Sequence, residues 1–195
     1  LSIDVWEVIQ SAATKPFGFM PFYPGPGIGG HCIPVDPQYL AWKLKMLDYD
    51  AKLINASEII NSIMPNFVVQ KTKKTLYEKG VKIKDARLLV LGVAYKANVG
   101  DVRESPAIEI IQELLLIAKD VQYNDPFVDT LELDGTTLLS TALDKDFLST
   151  RDVVVIVTDH SAYDYKEIME SSKLILDTRN AINPIRDTQC MVVRL

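Results

Sequence analysis

Asp152-Val153-Val154-Val155-Ile156-Val157 is the stretch on which the reading of the fold turns. Five β-branched residues in a row favour a strand. No polar residue alternates with them, so both faces of that strand have to be covered. Runs of this kind belong to parallel strands lying between helices.

The same signal recurs outward from it. Arg87-Leu88-Leu89-Val90-Leu91-Gly92-Val93 is a short β-prone run. A second strand is predicted over 121–123, ending in Asn124-Asp125-Pro126, and another over 174–176, ending in Asp177-Thr178-Arg179-Asn180. Helical segments separate them. Ser105-Pro106 opens one that runs to about residue 119, with Ser105 as cap and Pro106 in the first turn. Others are predicted over 141–148 and 163–170. Strand and helix alternating at this spacing imply an α/β fold, a doubly wound, Rossmann-like parallel sheet over residues 85–195.

Residues 1–84 read differently, as a helical unit. Asp4 caps a short amphipathic helix with Val5, Ile9 and Ala12 on one face. Asp36-Pro37 starts a second helix, in which Leu40, Ala41, Leu44 and Leu47 recur at helical spacing. A long pattern over 57–79 carries Ile59, Ile60, Ile63, Phe67, Val68 and Leu76. Pro65 kinks it or begins its main part, and Gly80 ends it. Its apolar face is either internal core or a contact with a second copy. The lysines at 71, 73, 74, 79, 82 and 84 read as a solvated face.

Bulk composition narrows the class. The chain has 195 residues, 48% hydrophobic and 24% charged, an ordinary globular balance. A net charge of −5 does not suggest a nucleic-acid partner. The two cysteines, Cys32 and Cys190, make no disulfide framework and fit a reducing cytoplasm. No apolar run approaches the ~20 residues needed to span a membrane. The chain opens at Leu1 already in a helical pattern, and is expected to be a piece of something longer.

The functional signal lies in Tyr23-Pro24-Gly25-Pro26-Gly27-Ile28-Gly29-Gly30-His31-Cys32-Ile33-Pro34-Val35-Asp36. Gly25, Gly27 and Gly30 fit G-x-G-x-x-G, but no clean strand precedes them, so a dinucleotide fingerprint is rejected. A stiffened backbone cradle with a thiol at its end is the better reading. Cys32 is the candidate nucleophile. Asp36 is a helix cap, a base near the thiol, or both. At the carboxyl ends of the strands, where α/β sheets bind ligands, stand Tyr95, Lys96, Asp125, Thr158, His160 and Arg179. Lys96 and Arg179 offer positive charge to phosphate, and Tyr95 offers a stacking face. A hydrolase pairing Cys32 with His160 is the alternative chemistry. Two His and two Cys make a zinc site less favoured, and no metal is expected.

Gly29-Gly30-His31-Cys32-Ile33-Pro34-Val35-Asp36-Pro37 resembles the catalytic loop of the UDP-glucose/GDP-mannose dehydrogenase family. The His-Cys-Ile-Pro form is similar to the branch acting on UDP-N-acetylated hexosamines. Gly92-Val93-Ala94-Tyr95-Lys96, with Gly100-Asp101-Val102-Arg103-Glu104-Ser105-Pro106, resembles the opening of the family's UDP-binding domain. The resemblance implies an NAD-dependent oxidation of a sugar C6 alcohol to a carboxylate, through Cys32 and with Asp36 handling water. It implies substrate contacts from Tyr23, Gly27, Ile28, Gly29, Gly30, His31, Tyr95, Lys96 and Arg179, and an NAD contact from Arg103. It implies a homodimer or higher oligomer through the central helical segment. Val35 stands where UDP-glucose members carry lysine, which argues against UDP-glucose. The family's NAD-binding domain has no counterpart here, so this chain alone is expected to be inactive. The alternative is a non-catalytic nucleotide-sugar-binding and dimerisation module.

Overall fold

A computed structural model describes residues 3–183 and 189–195. Four helices come first: α1 (Val5–Ala13), α2 (Cys32–Lys45), α3 (Lys52–Ser62) and α4 (Met64–Glu78). A long irregular segment, residues 14–31, joins α1 to α2. The remainder alternates: β1 (Arg87–Leu91), α5 (Pro106–Ile117), β2 (Asp120–Asn124), a hairpin of β3 (Thr130–Leu133) and β4 (Thr136–Leu139), α6 (Lys145–Thr150), β5 (Val153–Ile156), α7 (Tyr165–Ser171), β6 (Leu174–Asp177) and β7 (Met191–Arg194).

Five strands form one sheet in the order β2-β1-β5-β6-β7, every neighbouring pair parallel. The register sets Leu89 beside Val154 and Ile156 beside Asp177. Side chains alternate between the two faces. Leu88, Val90, Val153, Val155, Leu174 and Leu176 share a core with Val68, Val69 and Leu76 of α4 and Ile110, Ile111 and Leu114 of α5. Leu89, Leu91, Val154, Ile156 and Ile175 face the other way, onto Leu148 of α6 and Ile168 of α7. Every residue of β5 is at most 1% exposed. The apolar run is therefore explained by helices on both of its sides, as the sequence predicts. β1 and β5 are adjacent although α5 and β2 come between them in the chain. Their carboxyl ends thus flank the switch point where open α/β sheets form a crevice.

Several boundaries differ from the sequence expectation. The second helix begins at Cys32 and not at Asp36, and its cap position, His31, makes no side-chain bond. Pro34 lies in the first turn, where a missing N–H has no intrahelical partner to lose. Pro37 lies inside the helix and removes one backbone hydrogen bond there. The pattern over 57–79 is two helices that start at Lys52 and break at Ile63, with Pro65 in the first turn of α4. The apolar side of α4 is internal core, whereas α3 and α1 bury no residue. The helix expected from 141 starts only at Lys145, capped by Asp144, because Thr141 bonds back to Tyr123 of β2. Two features were not anticipated. One is the β3–β4 hairpin, whose turn residues Asp134 and Gly135 both have positive φ. The other is the edge strand β7.

Leu89→Ala should lower stability by about 2–5 kcal/mol, the range for emptying a filled core site. Leu116→Ala, at a residue 85% exposed, should shift it by less than about 0.5 kcal/mol. Urea unfolding of both variants followed by circular dichroism checks this contrast.

Candidate active site

The glycine-rich segment does not hang free. It lies along the carboxyl edge of the sheet. Gly30 donates its N–H to the carbonyl of Arg103 at 2.9 Å. A Cβ at Gly29 would sit 2.6 Å from the Glu104 carbonyl oxygen and 2.7 Å from Tyr95 Cβ. A Cβ at Gly30, where φ is +90°, would sit 2.9 Å from the Tyr95 ring. Both positions are glycine because another part of the chain occupies the space a side chain needs. The Arg179 guanidinium approaches Gly25 in the same way, and Gly27 rests on Pro106. Ile28 stays exposed, and Tyr23 stacks on Trp6 with ring centroids 5.3 Å apart.

Two residues beyond Gly30, the chain turns into α2 with Cys32 as its first residue, exposed to solvent. Asp36 is four residues further on, and i,i+4 residues share a helix face. One donor atom each from His31, Cys32 and Asp36 lie within 4.8 Å of one another. The turn into the helix brings His31 and the thiol together. Among the described residues this is the one grouping of three such donors. It is exposed and falls short of a closed tetrahedral set.

Three cations stand on the sheet edge, and one of them, Arg103, is close enough for its charge to feel the thiol. Arg103 is exposed and oriented by Asp101, with Nη2 2.6 Å from Oδ2. That side-chain bond, helped by the Arg103 backbone N–H, holds the Asp101 carboxyl below its usual range. The same pairing raises the arginine, whose charge also feels Tyr95 and Cys32. Asp101 was missed in the sequence, although an acid two residues before an arginine is a readable signal. Arg179 is half-buried. Its Nε donates to the Val157 carbonyl at 2.9 Å, and its backbone N–H to Asp177 Oδ1 at 3.0 Å. Burial pushes its pKa down while Asp159 opposes that shift. Lys96 is exposed beside the half-buried Tyr95, whose N–H donates to the Asp101 carbonyl.

Asp125, Thr158 and His160 are not part of this edge. All three are buried, and their polar atoms bond to protein groups. Both ring nitrogens of His160 are engaged, one with Asp125 and one with the Asn98 N–H. That histidine cannot serve Cys32 as a base, which removes the Cys–His hydrolase. The structure thus brings together Cys32, His31, Asp36, Gly29, Gly30, Tyr95, Arg103 and, through Gly25, Arg179.

Gly30→Ala should weaken the docking of the loop by about 1–3 kcal/mol, since the added methyl meets the Tyr95 ring at a left-handed φ. Gly135→Ala shares the positive φ but has open space around it. Limited proteolysis should therefore cut residues 14–31 faster in Gly30→Ala only.

Two family models match the chain. The UDP-glucose/GDP-mannose dehydrogenase family central domain covers residues 1–62, and the UDP binding domain of the same family covers residues 89–184. A UDP-N-acetyl-D-mannosamine dehydrogenase of Methanocaldococcus jannaschii is 34% identical over 191 residues, 94% of this chain and 41% of that protein. A UDP-N-acetyl-D-glucosamine 6-dehydrogenase of Salmonella typhi is 36% identical over 133 residues, 68% of this chain and 31% of that protein. Among solved structures, the UDP-D-ManNAc dehydrogenase of Pyrococcus horikoshii superposes with a TM-score of 0.80 at 30% identity, over 98% of this chain and 44% of that one. The chain spans less than half the length of each of these proteins. By both family models and by these relatives, the chain belongs to the UDP-glucose/GDP-mannose dehydrogenase family.

Proposed function

We propose that this chain is the part of an NAD-dependent nucleotide-sugar 6-dehydrogenase that grips a UDP-N-acetylhexosamine and carries the reacting thiol. The observation behind this is the placement of Cys32. It starts a helix at the end of a glycine loop seated on Tyr95, in reach of Asp36 and of the charge of Arg103, while Arg179 meets the same loop at Gly25.

Lys96 and Arg179 face a diphosphate, for which their charges are suited. Tyr95 offers a ring to the base. The Gly29 amide, with Tyr23, Gly27, Ile28, Gly30 and His31, lines the sugar; the Gly30 N–H itself is already given to the Arg103 carbonyl. Two NAD molecules, bound one after the other, would each accept one of the two hydrides that the oxidation of an alcohol to an acid releases, the first leaving the aldehyde at C6. Of the residues present, Arg103 fits that cofactor: an exposed cation, fixed by Asp101, next to Cys32. The Cys32 sulfur adds to the aldehyde carbon at C6 to give a thiohemiacetal. Loss of hydride from that carbon and of the proton from its hydroxyl leaves a thioester. Water, with Asp36 taking its proton, attacks the thioester, and the carboxylate departs as the thiol is restored. Unsatisfied N–H groups of the first turn of α2 suit the negative oxygen that forms during each addition.

Support for the N-acetylated sugar comes from the His31-Cys32-Ile33-Pro34 form, from Val35, and from the names of the relatives. The exposed residues Ile59 and Ile60 of α3, with Ile63 just after it, supply the apolar surface for a second copy. A reactive thiol suits the cytoplasm. No helix among the described residues is long and apolar enough to cross a membrane.

Calorimetric titration with UDP-N-acetylglucosamine, UDP-N-acetylmannosamine and GDP-mannose tests the reading. The UDP sugars should bind, and Lys96→Ala should weaken them by about tenfold or more, the loss of a charge-assisted bond. Saturation by neither UDP sugar, or unchanged affinity in Lys96→Ala, would overturn it. The chain alone should form no NADH with either sugar. NADH formation by residues 1–195 would refute the expectation that these residues do not suffice to hold NAD for the reaction.

A further inference from the structure

Tyr95 and Lys96 sit on a loop, residues 92–98, that has no regular structure, and its shape is held by two residues that the chemistry above does not use. Asp125 follows β2, and His160 follows β5. Neither side chain has any exposed surface. Asp125 Oδ2 accepts from the N–H groups of Val93 at 2.7 Å and Ala94 at 3.0 Å, immediately before Tyr95. The same oxygen lies 3.0 Å from His160 Nε2, and Oδ1 accepts the N–H of Phe127 at 2.8 Å. At the other end of the loop, His160 Nδ1 accepts the N–H of Asn98 at 2.9 Å. An accepting Nδ1 leaves the ring proton on Nε2, which therefore donates to Asp125. Burial works against the charge on Asp125, but the bonds from His160, Val93, Phe127 and Ala94 hold its carboxyl below the ordinary range.

We infer that Asp125 and His160 are a positioning pair for nucleotide-sugar binding, tying both ends of the loop that presents Tyr95 and Lys96. The pair acts one step further as well. The Tyr95 ring is the surface on which Gly30 lies, and Cys32 is two residues beyond. Two buried side chains beyond the ends of separate strands thereby set the grip on the nucleotide and the seat of the thiol. The inference rests on the reading of Tyr95 and Lys96 as nucleotide contacts, but its effect on Cys32 does not require that reading.

The test compares the wild-type chain with His160→Phe and His160→Gln. Phenylalanine keeps the ring packing against Phe127 and Tyr163 and removes both hydrogen bonds. Glutamine places an amide N–H where Nε2 was and keeps the donor to Asp125. Two measurements are made on each: UDP affinity by calorimetry, and the rate of iodoacetamide alkylation of Cys32. Cys190 is buried and its thiol is pushed up to about 11, so alkylation near neutral pH reports Cys32. His160→Phe should weaken UDP by about tenfold and slow alkylation by about threefold, while His160→Gln, which keeps the bond to Asp125 and loses only the acceptor for Asn98, should fall between it and the wild type in both. A role in stability alone would lower the melting temperature without separating the two variants in affinity or alkylation.

If the wild type binds UDP and His160→Phe matches it in affinity and alkylation rate, the inference is wrong. If the wild type does not bind UDP, the nucleotide reading fails, and alkylation alone decides the positioning role. If His160→Phe does not fold, His160→Asn takes its place: it keeps an acceptor for Asn98 but cannot reach Asp125. UDP affinity and alkylation rate unchanged from wild type in His160→Asn would then overturn the inference.

Discussion

The close approach of two backbones, unobstructed by side chains, is the constraint on which the site depends. Gly29 and Gly30 lie against Glu104, Ser105 and Tyr95 at distances no Cβ tolerates. One hydrogen bond, from Gly30 to Arg103, fixes the approach in register. Because the loop is pinned there, the helix that begins at Cys32 starts at a defined point above the sheet edge. Without that contact, the thiol and the cations would belong to separate parts of the chain, linked only by their order in sequence.

The sheet supplies what the loop leans on. Five parallel strands with both faces covered make a rigid platform, and its carboxyl edge gathers the loops after β1, β5 and β6. Rigidity at that edge comes less from the strands than from buried polar bonds. Asp177 accepts three backbone N–H groups of the segment carrying Arg179. Thr158 donates to the Ala94 carbonyl at 2.6 Å. Each loop that carries a candidate ligand contact is thus fastened by a side chain from beneath it. In a low-dielectric setting such bonds are strong when complete.

What could be read in advance, and what could not, follows from the range of the forces involved. The β5 run and the Ser105-Pro106 helix start were legible because local chemistry decides them: β-branched stiffness, a cap, a proline in the first turn. Cys32, Tyr95, Lys96 and Arg103 could be singled out as candidates because they sit in long, specific motifs. The start of α2 was not, because Pro34 and Pro37 suggest a barrier, and only the position within the first turns makes them tolerable. The β3–β4 hairpin was missed despite Asp134-Gly135, a strong turn signal between alternating runs. Asp125, Thr158 and His160 were placed at the correct edge but facing the wrong way. Burial of a polar side chain depends on partners 31 to 64 residues distant, and no local pattern records it. β7 is a four-residue edge strand with no buried residue, so it carries little hydrophobic signal of its own.

The account stands on a single crevice shared by the thiol and the cationic sheet edge. A crystal structure of this chain soaked with UDP tests it most directly. The account predicts the diphosphate between Lys96 and Arg179, with Gly30 still seated on Tyr95 and the Cys32 sulfur opening onto the same crevice. A nucleotide bound elsewhere, or a glycine loop lifted away from Tyr95 with the sulfur facing another side of the molecule, would contradict it.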